Sequence, residues 1–101
     1  MDYYQLEFAV EEWAKARSII GKASPSTQCL KTASEFGELC DAIIKNNRED
    51  QIDAIGDVMV CLIILCRMLE LDLTVCLESA YNVIKERTGT SLPNGTFVKD
   101  E

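Results

Sequence analysis

Four carboxylates in the middle of the chain have spacings that suit a metal site. Glu35 and Glu38 are three residues apart, and Asp53 and Asp57 are four apart. On α-helices, each of these spacings places two side chains on the same face. Oxygen ligands favour Mg²⁺ or Mn²⁺ over zinc, and the chain contains no histidine. If their two helices lie side by side, we expect the four acids to surround a hard divalent cation.

The first acidic pair belongs to a predicted helix from residue 25 to about residue 46. Ser24 is its expected cap, and Pro25 suits the first helical position. The helix has an apolar stripe formed by Cys29, Ala33, Phe36, Cys40 and Ile43. A second stripe, nearly opposite, consists of Gln28, Lys31, Glu35, Glu38 and Ala42. An ordinary solvated helix face explains the second stripe without any ligand.

The second acidic pair opens a predicted helix that follows a break at residues 46–50 and ends near Leu69. Beyond Asp57 the helix is apolar on nearly all sides, which predicts burial. A buried, unpaired carboxylate costs several kcal/mol, so Asp57 should be paired, protonated or bound to metal. Asp53 is also explained by the preference of acids for a first helical turn. The apolar circumference of this helix exceeds what one small bundle buries, which predicts a homodimer or homotetramer.

Two more helices complete the predicted architecture. One spans residues 2 to about 18, and the other runs from about Leu73 to Arg87. The tail, residues 88–101, is expected to be irregular around a turn at residues 93–96, although Phe97 and Val98 could form a short strand. Four helices with short connections predict an all-α, four-helix bundle-like fold in one domain of 101 residues.

Composition narrows the range of partners and compartments. The net charge of −7 argues against binding to nucleic acid polymers or anionic membranes. The apolar run at residues 58–66 is far shorter than the roughly 20 residues of a bilayer span. Five cysteines without a Cys-x-x-Cys pair predict reduced thiols, and hence a cytoplasmic protein.

One family shares this arrangement of residues. The stretch Gln28…Lys31…Glu35-x-x-Glu38, followed by Asp53-x-x-Gly56-Asp57, resembles the MazG-like all-α nucleoside triphosphate pyrophosphohydrolases, especially short phage and bacterial forms. The resemblance extends to Tyr81-Asn82-x-x-Lys85-x-Arg87 near the C-terminus. The family's second motif is Glu-x-x-Asp, and its glutamate position is Ala54 here. Asp53, one residue earlier, is a candidate substitute, which leaves the number of metals open.

The resemblance implies Mg²⁺-dependent hydrolysis of a (deoxy)nucleoside triphosphate to the monophosphate and pyrophosphate, with Mn²⁺ as another usable metal. The implied metal ligands are Glu35, Glu38, Asp57 and Asp53, and the implied catalytic residues are Glu35, Glu38 and Lys31. Phosphate contacts are expected from Lys31, Lys85 and Arg87, and base or sugar contacts from Gln28, Asn82 and Trp13.

Other interpretations of the same residues stay open. Trp13 suits a hydrophobic core, and Lys85 and Arg87 suit the negative end of a helix dipole. The substrate could be another phosphorylated metabolite. The chain could also be a non-catalytic helical oligomer that senses nucleotides or binds a protein.

Overall fold

The computed structural model describes residues 1–101 and confirms the all-α prediction. The helices are α1 (Tyr3–Ala16), α2 (Ile19–Lys22), α3 (Pro25–Ile44), α4 (Arg48–Met68) and α5 (Leu73–Ile84). Two short strands follow, β1 (Gly89–Ser91) and β2 (Phe97–Lys99). None of the helices has the length and apolar character that crossing a membrane requires.

Side-chain caps decide where the central helices begin. The Ser24 hydroxyl accepts a hydrogen bond from the Thr27 backbone N–H at 3.1 Å, and Pro25 follows it, as predicted. Asn47 Oδ1 accepts from the Asp50 backbone N–H at 3.1 Å, so α4 begins at Arg48. The predicted break at residues 46–50 is therefore too long, because Asn47 satisfies a free N–H of the first turn.

The boundaries of the outer helices differ from the prediction in a similar way. Helix α1 ends at Ala16 rather than near residue 18, and α5 ends at Ile84 rather than at Arg87. The tail is not irregular: β1 and β2 pair antiparallel, with Ser91 opposite Phe97. A Cβ atom at Gly89 would collide with the Val98 carbonyl, so this strand pairing requires glycine there.

Helices α3 and α4 form an antiparallel hairpin that is the centre of the fold. The hairpin is crossed by a hydrogen bond from Gln28 Nε2 to the Cys61 carbonyl at 3.2 Å. Near the loop, small residues meet: Ala42 and Ala54 are both buried. Helix α1 packs on another side of α4, and α5 also packs on α4. This hairpin therefore fixes the relative positions of the acids on α3 and α4.

The packing buries the polar stripe of α3 and leaves its apolar stripe outside. Gln28, Glu35 and Ala42 are the buried residues of this helix. Phe36 and Ile43, in the apolar stripe, are 57% and 60% exposed. An ordinary solvated face therefore does not describe the stripe that carries Glu35. Only 8 of the 101 residues are buried, so a single chain leaves most of its apolar surface uncovered.

Candidate active site

Three carboxylates converge where α3 and α4 meet. One carboxylate oxygen from each of Glu35, Glu38 and Asp57 lies within 4.8 Å of the others. Glu35 is buried on the inner face of α3, Glu38 is exposed one turn later, and Asp57 is half-buried on α4. The structure thus brings together three of the four acids that the sequence predicted to share a site.

Lys31 holds one oxygen of Glu35 and leaves the other without a donor. Lys31 Nζ lies 2.9 Å from Glu35 Oε1, one helical turn away on α3. This hydrogen bond is the main reason that the pKa of Glu35 is lowered. Glu35 Oε2 is buried and has no hydrogen-bond donor while Glu38 is ionised. Such an atom is costly to bury unpaired, and a bound cation would give it the partner that it lacks.

The other two carboxyl groups have raised pKa values. The pKa of Glu38 is raised first by its side-chain hydrogen bond with Glu35 and then by the repulsion of the Glu35 charge. Burial is the main cause for Asp57, whose pKa is also raised by the charges of Asp53 and Glu35. Three crowded oxygen ligands, one of them unpaired, fit a hard cation such as Mg²⁺ or Mn²⁺.

An acidic groove extends from this cluster towards the loop between α3 and α4. Its lining residues are Glu38, Asp41, Ala42, Lys45, Asp50, Asp53, Ala54 and Asp57. Asp53 is therefore close to Asp57 but is not one of the three clustered carboxylates. Ala54, the position where the resemblance to the MazG-like enzymes leads one to expect a glutamate, lines this groove and is only 6% exposed.

Sequence reasoning missed three polar residues of the acidic groove. Asp41 follows Glu38 by three residues, Lys45 follows Asp41 by four, and Asp50 precedes Asp53 by three. These intervals continue the same helix faces, so the periodicity that paired the four acids could have found them. Lys45 is the only cation among the residues that line the groove.

An apolar pocket of about 220 Å³ opens on the other side of the cluster. Its apolar walls are Trp13, Ile19, Val60 and Ile64, and its polar lining includes Gln28, Lys31, Glu35 and Asp57. Because Asp57 also lines the acidic groove, the pocket and the groove are adjacent.

Two of the predicted substrate-binding residues lie in this pocket. Trp13 is 44% exposed, and the Arg17 guanidinium lies 4.4 Å from the centroid of its ring. Trp13 is therefore not a core residue. Gln28 is 5% exposed, and its amide nitrogen already donates to the Cys61 carbonyl. The Gln28 side chain thus links α3 to α4 through its amide nitrogen. Its amide oxygen is still a candidate for binding a ligand.

The structure does not bring the three remaining candidates to the cluster. Asn82, Lys85 and Arg87 are exposed, at or beyond the end of α5. None of them lines the acidic groove or the apolar pocket. Their contact with a substrate stays a prediction.

The structure is an all-α protein with a candidate metal site between two helices, and comparison of its sequence with known families identifies the family. The MazG nucleotide pyrophosphohydrolase domain matches residues 23–94. That region includes the acid cluster and both helices of the central hairpin. The chain therefore belongs to the MazG family of nucleotide pyrophosphohydrolases, which confirms the resemblance seen in its motifs.

A phage protein and a solved structure are similar to the chain. The uncharacterized 18.2 kDa protein in the rep-hol intergenic region of Haemophilus phage HP1 is 37% identical over 71 residues. The match covers 70% of this chain but only 44% of that protein. The cyanophage S-2L MazG-like pyrophosphohydrolase, bound to dGDP and three catalytic Mn²⁺ ions per active site, has a TM-score of 0.73 at 19% identity. The alignment covers 100% of this chain and 99% of that one, which shows that the fold is shared.

Proposed function

We propose that the chain hydrolyses a nucleoside or deoxynucleoside triphosphate between its α and β phosphates. The products are the nucleoside monophosphate and pyrophosphate, and the proposed metal is Mg²⁺, with Mn²⁺ as a substitute. The observation that carries this proposal is the carboxylate cluster within 4.8 Å, placed beside a pocket that could take a nucleoside. The cyanophage S-2L protein, which binds dGDP with Mn²⁺, supports a nucleotide as the ligand.

The proposed metal ligands are Glu35, Glu38 and Asp57, with Asp53 as a further ligand from the acidic groove. A divalent cation held there supplies charge neutralisation to the phosphates and activates water. The lowered pKa of Glu35 keeps this carboxylate ionised and suits it to metal binding. Glu38 is exposed and has a raised pKa, so it is the better acceptor for the proton of the attacking water.

The nucleoside is proposed to occupy the apolar pocket, where Trp13 offers an aromatic surface to the base. Lys31 Nζ contacts one Glu35 oxygen and has further N–H groups that can reach a phosphate. Asn82, Lys85 and Arg87 are proposed to contact the substrate as well. In a single chain these three residues line neither the acidic groove nor the apolar pocket. Their contact with the substrate therefore requires movement of α5 or a second copy of the chain.

The proposed working unit is a homodimer or homotetramer of one MazG-like domain, in the cytoplasm. All five thiols are free, as expected for a reducing compartment. Ala54, at the family's glutamate position, favours a second candidate: a non-catalytic helical oligomer that binds nucleotide without turnover, or binds a protein.

A pyrophosphate-release assay separates these candidates. A panel of ribonucleoside and deoxyribonucleoside triphosphates is incubated with the full chain and Mg²⁺, and both products are identified. We expect pyrophosphate and monophosphate in equal amounts. Release of inorganic phosphate alone would contradict cleavage at the α–β position, and nucleotide-dependent melting without any product would support the non-catalytic module.

The variant Glu38→Gln tests the role of the cluster. It should abolish turnover without lowering the melting temperature of the metal-free protein, because Glu38 is exposed. Glu78→Gln is the matched control, since Glu78 is an exposed residue of α5 that lines neither the acidic groove nor the apolar pocket. If Glu38→Gln retains full activity, the proposed ligand and base assignments are wrong.

A further inference from the structure

Lys45 is a cation in the acidic groove that has no ionic partner. The chain has three ion pairs, and Lys45 takes part in none of them. Five acids line the same groove: Glu38, Asp41, Asp50, Asp53 and Asp57. The Lys45 ammonium group, with its three N–H donors, is therefore free to bind an anion that enters the groove.

Lys45 lies on the face of α3 that carries the carboxylate cluster. Lys31, Glu38 and Lys45 follow one another at intervals of seven residues, which places them on one strip of the helix. Lys45 is the C-cap of α3 and keeps helical backbone angles, so it is about 10 Å beyond Glu38 along the helix axis. Helical side chains lean towards the N-terminus, which directs Lys45 back towards Glu38. Lys31, at the other end of the strip, is already paired with Glu35 at 2.9 Å, so Lys45 is the cation of this strip that is left for a ligand.

The positions of the apolar pocket and the acidic groove give a nucleotide one direction along the hairpin. On α3, the pocket is lined by residues up to Glu35, and the groove is lined by residues from Glu38 onwards. Asp57 of α4 lines both, so the two spaces meet at the cluster. A nucleotide with its nucleoside in the pocket therefore extends its phosphate chain past the carboxylates and into the groove. Cleavage between the α and β phosphates at the cluster leaves the diphosphate part of the substrate on the side of Lys45.

We propose that Lys45 binds the β and γ phosphates of the substrate and holds the pyrophosphate that leaves. This inference rests on the proposed function and assigns an orientation to its substrate: the base lies towards Trp13, and the terminal phosphate lies towards the loop between α3 and α4. The other charged side chains of the groove are all acids, so a polyanion binds there only with the help of cations. Lys45 is the cation that the chain itself provides.

Isothermal titration calorimetry of the full chain in saturating MgCl₂ tests this contact through binding alone. Inorganic pyrophosphate and the deoxynucleoside monophosphates are titrated separately at matched ionic strength. In Lys45→Gln the dissociation constant of pyrophosphate should rise about tenfold, as expected for the loss of one charge-assisted contact that is open to solvent. The dissociation constants of the monophosphates should stay nearly unchanged, because their single phosphate remains at the cluster. Loss of a positive charge favours Mg²⁺ in the groove, so binding of pyrophosphate through metal alone predicts no weakening.

Two further variants serve as controls. Lys45→Arg keeps the charge and should bind pyrophosphate nearly as tightly as the wild type. Lys99→Gln removes the same charge from an exposed position of β2 and should change neither dissociation constant.

Three results would each overturn the proposal: an unchanged pyrophosphate affinity in Lys45→Gln, an equal weakening of pyrophosphate and monophosphates, or a wild type that does not bind pyrophosphate. The assay of triphosphate hydrolysis separates this proposal from the proposed function. Pyrophosphate release by a wild type whose pyrophosphate affinity does not depend on Lys45 contradicts only the contact with Lys45. Pyrophosphate binding that depends on Lys45, without turnover of any triphosphate, contradicts only the hydrolysis.

Discussion

Replacing Asp57 by asparagine should reverse the order of stability between variant and wild type when a divalent cation is added. Without metal, Asp57 is charged beside Glu35 and Glu38, whose ligand oxygens lie within 4.8 Å of its own. Its pKa is raised, chiefly by burial. The charged form therefore opposes folding, and a neutral amide of the same shape should stabilise the metal-free protein.

The distance between the carboxylates sets the magnitude. Two unit charges 4.8 Å apart repel by about 1 kcal/mol in water and by about 3.5 kcal/mol at an effective dielectric constant of 20. Because the site opens to solvent, we expect Asp57→Asn to gain about 1–2 kcal/mol in the absence of metal. For a domain of this size, each kcal/mol raises the melting temperature by about 4–8 °C.

Metal binding should more than offset this gain. At a cation concentration of 100 times the dissociation constant, binding stabilises the wild type by about 2.7 kcal/mol. The variant has lost one ligand and should gain less. Thermal melts in EDTA, MgCl₂ and MnCl₂ at matched ionic strength measure both effects. Asp41→Asn is the control, because Asp41 lines the acidic groove but is not part of the cluster.

The sign of the pH dependence follows from the raised pKa of Asp57. The neutral carboxyl group imposes no penalty below its ordinary pKa near 4, and the penalty develops as the pH rises through the raised value. The metal-free advantage of Asp57→Asn should thus be largest near pH 7 and vanish in acid. A variant less stable than the wild type in EDTA at pH 7 would refute the account of mutual repulsion.

Two further substitutions test local interactions. Lys31→Met removes the 2.9 Å ion pair that lowers the pKa of Glu35, so it should destabilise the metal-free protein at pH 7. The difference in stability between variant and wild type should disappear as the pH falls below about 4, where Glu35 becomes protonated. Melts from pH 3 to 7 measure this, and a constant difference across that range would contradict it. Asn47→Ala removes the cap of α4 and should cost about 1 kcal/mol, or about 4–8 °C, without changing the metal-induced shift. Calorimetry with and without Mg²⁺ checks both parts, and a lost metal response would show that the cap also positions the cluster.

Short-range patterns were enough to predict most of the helices and the carboxylate cluster. Ser24 and Pro25 mark the start of α3 because caps and proline act within one turn. The intervals within the two acidic motifs place their side chains on common faces for the same local reason. The tail was harder to predict, because the pairing of β1 with β2 depends on residues six to ten positions apart.

The sequence by itself determined that two helical segments carry four acids in two same-face pairs, since helical periodicity needs no knowledge of neighbours. Only the tertiary structure decided which face of α3 turns inward. Packing against α4 buried Glu35 and Gln28 and left Phe36 and Ile43 outside, because the close contact of the two helices is made by the face that carries Ala42. The tertiary structure also decided that Asn82, Lys85 and Arg87 lie apart from the acids. The position of α5 depends on its contacts with α4, which no local sequence pattern encodes.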